Sequence, residues 1–330
     1  MNVANKTLSI CIPTFNRASY LRECLESILT SASKYLDHIE IVISDNASTD
    51  NTKHVVQGFQ DRYSYIRYNR NEENVFDENF FIAASLAKGD YIWIFADDDK
   101  MEKGTINEVL SAIDKGHNLI ICNYSIWNKD LTKKIKETRY GLKLDMNFHD
   151  SNKLLRTFGI GLQFVSSIII KKDIFLKLPE SEYTPFHEYG CSFLLSVYSG
   201  IRTYLDAIFI SRPLVRYRGF NSNLSETDKW YKYFATGSTL LLEQLQRKGY
   251  SSRAIYAAKH KVLKEYIMHD ISYRKGNSKS LEGIFRLMLP LYKRYWFFWI
   301  IITPMIFAPR SFIWVGNKIV NAIRFKGLQK

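Results

Sequence analysis

Cysteine is scarce in this chain. Its four cysteines, Cys11, Cys24, Cys122 and Cys191, include no CxxC pair. That excludes a disulfide framework and a zinc site of the usual spacing. Cys11, Cys122 and Cys191 lie in apolar stretches and read as reduced, buried thiols of a cytosolic protein. An apolar leader is missing too. MNVANKTLSI runs directly into a strand pattern, so no secretory segment is expected. There is no internal repeat and no low-complexity tract. From residue 283 onward there is no acidic residue at all.

What is present is the composition of a folded protein. With 46% hydrophobic and 15% aromatic residues, wholesale disorder is excluded. A length of 330 residues accommodates one large domain or two modest ones. The net charge of +13 is unevenly spread. Residues 1–125 hold 12 basic and 18 acidic side chains, a balance of −6, whereas the remainder holds 34 and 15, a balance of +19. An acidic head with a basic tail fits a body that faces a membrane better than a uniform nucleic-acid binder.

Along the first 125 residues strand and helix signals alternate. Apolar strand runs fall at 8–13, 38–45, 63–69, 91–96 and 118–125, and helical spacing at 19–29, 48–59, 79–87 and 106–114. Near-continuously apolar strands separated by helices predict an α/β fold, with a mostly parallel sheet covered on both faces. Ligands of such sheets bind beyond the carboxyl ends of the strands. Pro13-Thr14, Asp45-Asn46 and Asp97-Asp98-Asp99 all fall at such ends. After residue 126 the pattern weakens. A strand is expected within 162–175, a helix at 189–200, strands over 201–218 and helical character over 228–270.

YIWIFADDDK, residues 91–100, ends a buried strand in three aspartates. Adjacent carboxylates repel, so keeping them together is costly unless a cation neutralises them. Mg²⁺ and Mn²⁺ take oxygen ligands and commonly hold substrate phosphates as well. The triplet therefore suggests a metal–diphosphate site; its plain alternative is a solvated loop.

CIPTFNRASYLRECLESIL, IEIVISDNASTDNT and RNEENVFDENFFIAASLAKGDYIWIFADDD occur in this order. On these motifs the chain resembles the family 2 glycosyltransferases of GT-A fold, closely over residues 7–125 and weakly to about 225. The YIWIFADDD form is most similar to bacterial transferases of O-antigen and other surface polysaccharides, including an abequosyltransferase-like group. The resemblance implies that Pro13, Thr14 and Asn16 line the base and ribose pocket. It implies that Asp45 accepts a hydrogen bond from the base, with Asn46 and Ser48 shaping that loop, and that Arg70, Asn74 and Asn79 support the nucleotide. Asp97, Asp98 and Asp99 become the DxD element that contacts ribose and holds Mn²⁺ or Mg²⁺, with either Asp98 or Asp99 as principal ligand. Read singly, Asp45, Asn46 and Asn79 are equally well turn or cap residues, and Arg70 a surface charge. Phe76 departs from the family, which usually has glycine there.

The resemblance further implies an inverting transfer from a nucleotide-sugar, which needs a general base. PFHEYGCSFLL, residues 185–195, makes Glu188 the candidate, with Asp173 and Glu182 behind it; a first-turn position is its alternative. His187 is a candidate metal or phosphate contact. Arg216 and Arg218 either meet a diphosphate or form a solvated edge. The expected organisation is a nucleotide-sugar-binding half over 1–125, an acceptor-binding half over 126–225 and a helical, basic region over 226–330.

Residues 295–308 are almost wholly apolar, but Pro304 interrupts them and they fall short of the roughly 20 residues that cross a bilayer. With basic flanks, segment 293–326 fits a peripheral contact on the inner face of the cytoplasmic membrane, where a polyprenyl-diphosphate-linked oligosaccharide acceptor resides. A buried helix or a dimer interface is the other reading. Two further readings compete with the transferase. A sugar-phosphate nucleotidyltransferase wants a glycine-rich basic loop after the first strand, and PTFNRAS has no glycine. A basic membrane- or RNA-binding protein would not have an acidic sheet half, and RNP-type aromatic motifs are missing.

Overall fold

A computed structural model describes residues 7–219, 231–276, 281 and 283–309. Residues 310–326 of the expected membrane segment, and the 225/226 boundary between the expected regions, lie outside the described residues.

The first half alternates as its pattern predicts. β1 (Leu8–Thr14), α1 (Ala18–Ala32), β2 (Ile39–Asp45), α2 (Thr52–Gln60), β3 (Ile66–Arg70), α3 (Asn79–Leu86) and β4 (Tyr91–Ile94) follow one another. Then come β5 (Lys100–Met101), α4 (Thr105–Asp114), β6 (Leu119–Trp127), β7 (Lys134–Lys136), β8 (Met146–Phe148) and α5 (Ser151–Phe158). β9 (Ile168–Lys171), α6 (Lys172–Phe175), α7 (Glu180–Tyr183), α8 (Ser192–Gly200) and β10 (Ala207–Arg218) complete the sheet region.

One sheet takes all these strands, with main order β3-β2-β1-β4-β9-β6-β10-β5; β7 adds to β6 and β8 to β10. The pairings give β1, β2, β3, β4, β6 and β10 a common direction. The opposed strands β5, β7, β8 and β9 are all short. β9 is the informative one: it slips antiparallel between β4 and β6, so residues before and after 125 share one sheet.

The period of two decides what each face buries. Leu8, Ile10 and Ile12 of β1, Ile41 and Ile43 of β2 and Trp93 of β4 join a core under α1, α2 and α4. Cys11, Val42, Ile92 and Ile94 point the other way, into a larger core with α3, α5 and α8. All four cysteines are buried and free.

The C-terminal helices pack on this second core. Helices Ser238–Arg247 and Ser252–Lys261 bury Leu241, Leu242, Leu245, Ile255 and Ala258 there. The Tyr250 hydroxyl ties them to α8 by donating to the Tyr198 carbonyl at 2.7 Å. The apolar stretch after Tyr295 splits its surface. Phe298, Ile302 and Ile306 face the core, while Trp296, Trp299, Ile300 and Phe307 are exposed. Among the described residues no helix is long and apolar enough to cross a membrane.

Candidate active site

Parallel pairing brings three polar strand ends into one row. Thr14 of β1 lies in register with Asp45 of β2, and Asp45 with Arg70 of β3. β4 runs on through Phe95, whose N–H donates to the Cys11 carbonyl at 2.9 Å, and delivers Asp97 beside Thr14. The Thr14 hydroxyl donates to Asp97 Oδ2 at 2.7 Å across 83 residues of sequence. The expected convergence on one sheet edge is present in the geometry.

Beyond β2 the loops knit together. Asp45 is fully buried; its Oδ1 accepts the Ser48 N–H at 2.9 Å and its Oδ2 the Tyr68 hydroxyl at 2.5 Å. Burial, and then the Asp45 charge, raise the Tyr68 hydroxyl well above its ordinary pKa. Each carboxylate oxygen keeps a lone pair for a further donor. The Ser48 hydroxyl accepts the Asn16 N–H at 2.9 Å, and Asn16 Oδ1 accepts the Thr49 N–H at 2.7 Å. Asn16 has φ 51° and Ala47 φ 65°, left-handed conformations on both sides of this seam. Half-buried Pro13 precedes it, and Arg70 Nη2 donates to the Ser48 carbonyl at 3.2 Å. Asn46 donates to Asn74 Oδ1 at 2.6 Å and accepts the Val75 N–H at 3.0 Å. Asn79 is buried against β2, accepting the Ser44 hydroxyl at 2.6 Å and donating to the Ser44 carbonyl at 2.9 Å. Asn79 thus anchors the sheet beneath the pocket.

The three aspartates divide their partners. Asp97 and Asp98 both face Arg17, whose Nη1 lies 3.0 Å from Asp97 Oδ1 and 2.9 Å from Asp98 Oδ2. Asp99 turns inward: its Oδ2 accepts the Ser166 hydroxyl at 2.7 Å and its Oδ1 the Arg218 N–H at 3.1 Å. Burial, and then the Asp98 charge, push the Asp97 carboxyl up to about 6 and the Asp99 carboxyl well above its usual range. Carboxyls that resist ionisation in this way are short of positive charge. Oxygen atoms of Asp97 and Asp98 that converge on one point suit a hard divalent cation, which commonly needs only one or two carboxylates besides substrate phosphate. Among the described residues no group of three or more His, Cys, Asp and Glu side chains gathers as a self-sufficient metal cage. The donor set fits a cation completed by its substrate.

The acceptor-side candidates lie on a separate turn. His187 and Glu188 belong to the 3-10 turn Thr184–Tyr189 that leads into α8. Glu188 is exposed and paired with Lys232 at 2.8 Å, and that hydrogen bond holds its carboxyl below the usual range. His187 Nδ1 stands 3.4 Å from Asp77 Oδ2 and 3.2 Å from the Ser192 hydroxyl. Asp173 accepts the Ile174 N–H on the surface, and Glu182 pairs with Lys248. The two arginines differ from both readings of the sequence. Arg218 is buried, with its guanidinium on the Asp98 and Lys129 carbonyls and on Glu23, over the Tyr20 ring. It is scaffold for the aspartate loop. Arg216 is held by both oxygens of Glu102.

Several members of the site were not anticipated. Arg17 precedes the first turn of α1, where the helix dipole disfavours a cation. That misplacement was its signal, and the Asp97–Asp98 pair is its reason. Ser166 and Tyr68 carried no signal, since their partners are far away in sequence. Asp77 sits between Phe76 and Glu78 like any helix-start acid, yet it is buried and accepts the Ser192 N–H at 3.2 Å.

The profile of glycosyl transferase family 2 matches residues 9–178. Abequosyltransferase RfbV of Salmonella typhimurium is 33% identical over 234 residues, 67% of this chain and 69% of its own length. The GalNAc(5)-diNAcBac-PP-undecaprenol beta-1,3-glucosyltransferase of Campylobacter jejuni is 29% identical over 155 residues, 46% of this chain and 48% of its own. The crystal structure of S. aureus TarS 1–349 in complex with UDP-GlcNAc superposes with TM-score 0.60 at 15% identity, covering 87% of this chain and 82% of that one. The mannosyltransferase PcManGT from Pyrobaculum calidifontis in complex with GDP-Man and Mn²⁺ gives 0.54 at 15%, covering 87% and 81%. These likenesses carry the GT-A fold. A family profile spanning more than half of the chain, with a relative 33% identical over two-thirds of both sequences, shows that this chain belongs to glycosyl transferase family 2.

Proposed function

We propose that the protein is an inverting glycosyltransferase that moves a sugar from a nucleotide-sugar to a lipid-linked oligosaccharide in O-antigen or other surface-polysaccharide synthesis. The observation that carries this reading is the row Thr14, Asp45, Asn46 and Asp97–Asp99 at the carboxyl edge of the sheet. Relatives named as an abequosyltransferase and as an undecaprenol-linked glucosyltransferase support the substrate classes.

In this reading residues 1–125 bind the nucleotide. Asp45 accepts a donor from the base, Pro13, Thr14 and Asn16 line the base and ribose pocket, and Asn46, Arg70, Asn74 and Asn79 hold the loops. Asp97 and Asp98, whose oxygens converge, would hold Mn²⁺ or Mg²⁺, and Asp99 would join them on leaving Ser166 and the Arg218 N–H. A bound cation supplies charge neutralisation to the departing diphosphate. Residues 126–225 present the acceptor. An acceptor hydroxyl oxygen attacks the anomeric carbon from the face opposite the diphosphate, its proton passes to the Glu188 carboxylate, and the carbon–oxygen bond to the nucleoside diphosphate breaks with its electron pair. His187, with Nδ1 engaged by Asp77 and Ser192, offers Nε2 to a phosphate. The helical region 226–330 braces the second core and carries segment 293–326. Exposed Trp296, Trp299, Ile300 and Phe307, flanked by Lys293 and Arg294, rest on the cytoplasmic leaflet where the acceptor is anchored.

A thermal-shift screen tests the reading with UDP, CDP, GDP and dTDP, each with and without Mn²⁺ or Mg²⁺. One nucleotide is expected to stabilise the protein in a metal-dependent way, and Asp99→Asn to weaken that shift. No shift with any nucleotide in folded protein overturns it.

A further inference from the structure

Phe76 breaks two rules at once. Its backbone has φ 34°, in the left-handed region that bulky residues avoid. The residue is 60% exposed, so burial does not offset the strain. Strain that persists without a packing reason points to function. Nor is the turn loose. The Phe76 N–H donates to Asn74 Oδ1 at 3.3 Å, the Val75 N–H to Asn46 Oδ1 at 3.0 Å, and buried Asp77 is fixed on Ser192. Both ends of the turn are tied, and the phenyl ring is held outward between them.

A second ring meets it. Tyr233 lies 6.3 Å away, tilted by 42°. It belongs to the π-helical turn Lys232–Gly237, an irregularity frequent at functional sites. Gly190 leaves room for it, since a Cβ there would stand 3.0 Å from the ring. The neighbouring Lys232 holds Glu188. The two rings therefore span from the turn of Asn74 to the turn of His187 and Glu188, between the donor side and the acceptor side of the proposed reading.

We propose that Phe76 and Tyr233 form an aromatic wall that stacks on the apolar C–H face of a pyranose ring. The negative face of an aromatic ring attracts polarised C–H groups, and the contact removes apolar area from water. Phe76 offers no hydroxyl, so its half of the wall favours a sugar face poor in hydroxyls. The pyranose is either the transferred sugar of the donor or the terminal sugar of the acceptor. The inference rests on the transferase reading above.

The test compares wild type, Phe76→Gly and Phe76→Leu by melting temperature and by binding. The probes are UDP, GDP, CDP and dTDP, then UDP-glucose, GDP-mannose, GDP-fucose and dTDP-rhamnose, and methyl α-mannoside and methyl α-rhamnoside as acceptor mimics followed by saturation-transfer NMR. Glycine suits φ 34°, so Phe76→Gly is expected to melt at the wild-type temperature or above it. It is expected to bind the free nucleotide as wild type does, and to bind sugar about tenfold more weakly. Weakening confined to the nucleotide-sugar assigns the wall to the donor sugar; weakening confined to the methyl glycosides assigns it to the acceptor. A lower melting temperature with unchanged sugar binding overturns the proposal, and so does equal weakening of free nucleotide and nucleotide-sugar. If wild type binds no nucleotide at all, the transferase reading itself falls and the wall with it.

Discussion

The carboxylate of Asp77 caps a helix it does not belong to: it accepts the N–H of Ser192 at 3.2 Å, 115 residues further along the chain. The first N–H groups of α8 have no partner within the helix, and Asp77 answers one of them from the turn that follows Asn74. Replacing Asp77 by alanine is expected to cost about 1–3 kcal/mol of stability. Hydrogen exchange should speed up at Ser192–Leu195 and in the 74–78 turn together. Acceleration in only one of the two would show that Asp77 is not their link.

Arg17 stands where a metal ion is expected to enter. A guanidinium cannot deprotonate, so a dication that reaches Asp97 and Asp98 must displace it. Arg17→Gln should lower the stability of the metal-free protein. It should also tighten Mn²⁺ binding by about tenfold, by removing a like charge from the site. Calorimetric titration with Mn²⁺ reads the second effect, and equal affinities for the two proteins would refute the competition.

Asp97 fixes a pH dependence. Its folded pKa of about 6 exceeds the ordinary 3.8, because burial and the neighbouring Asp98 charge resist ionisation. Between those values the folded state holds a proton that the unfolded state has lost, so metal-free stability falls as pH rises from about 4 to 6. The expected loss is on the order of 2 kcal/mol. Asp97→Asn should flatten this part of the stability curve; an unchanged slope would place the titration elsewhere.

The hydrogen bond from Lys232 lowers the Glu188 carboxyl pKa, so in the proposed base role Glu188 is charged and Lys232 has to release it to accept a proton. Glu188→Gln should reduce turnover by at least about a hundredfold while nucleotide-sugar affinity stays within twofold. Full turnover in the variant would remove Glu188 from the base role and return attention to Asp173 and Glu182.

Trp296, Trp299 and Ile300 expose apolar surface next to Lys293 and Arg294. Changing all three to serine should lower binding to vesicles of anionic phospholipid by roughly tenfold or more and leave the fold intact, because the core-facing Phe298, Ile302 and Ile306 are untouched. Loss of self-association in place of vesicle binding would identify the patch as a protein interface.

How much of this was legible in the sequence follows from the range of each interaction. The alternation through residue 125 was readable, since each strand carries its own apolar run and each helix its own period. The strand ends identified Thr14, Asp45 and Asp97–Asp99 because the carboxyl edge of a parallel sheet is a property of the topology. β9 was readable as a strand but not as the antiparallel insert between β4 and β6, because no local signal encodes a neighbour. β10 read as several strands. It is one, with Pro213 at a register shift against β6 where a missing N–H is tolerated. Arg218 was read as either a diphosphate contact or part of a solvated edge, and it is neither, because its partners, Glu23 and the Asp98 carbonyl, are 195 and 120 residues away.

The N–H that Arg218 gives to Asp99 has a consequence in time. It joins residues 119 apart, and the family profile ends at residue 178, before the donor has been reached. At a synthesis rate of roughly 5–20 residues per second, the aspartate loop emerges some 6–24 s before the strand that completes it. The last strand of the sheet is therefore also the last part of the chain to reach the aspartates, and a chain released before Arg218 lacks the N–H that holds Asp99.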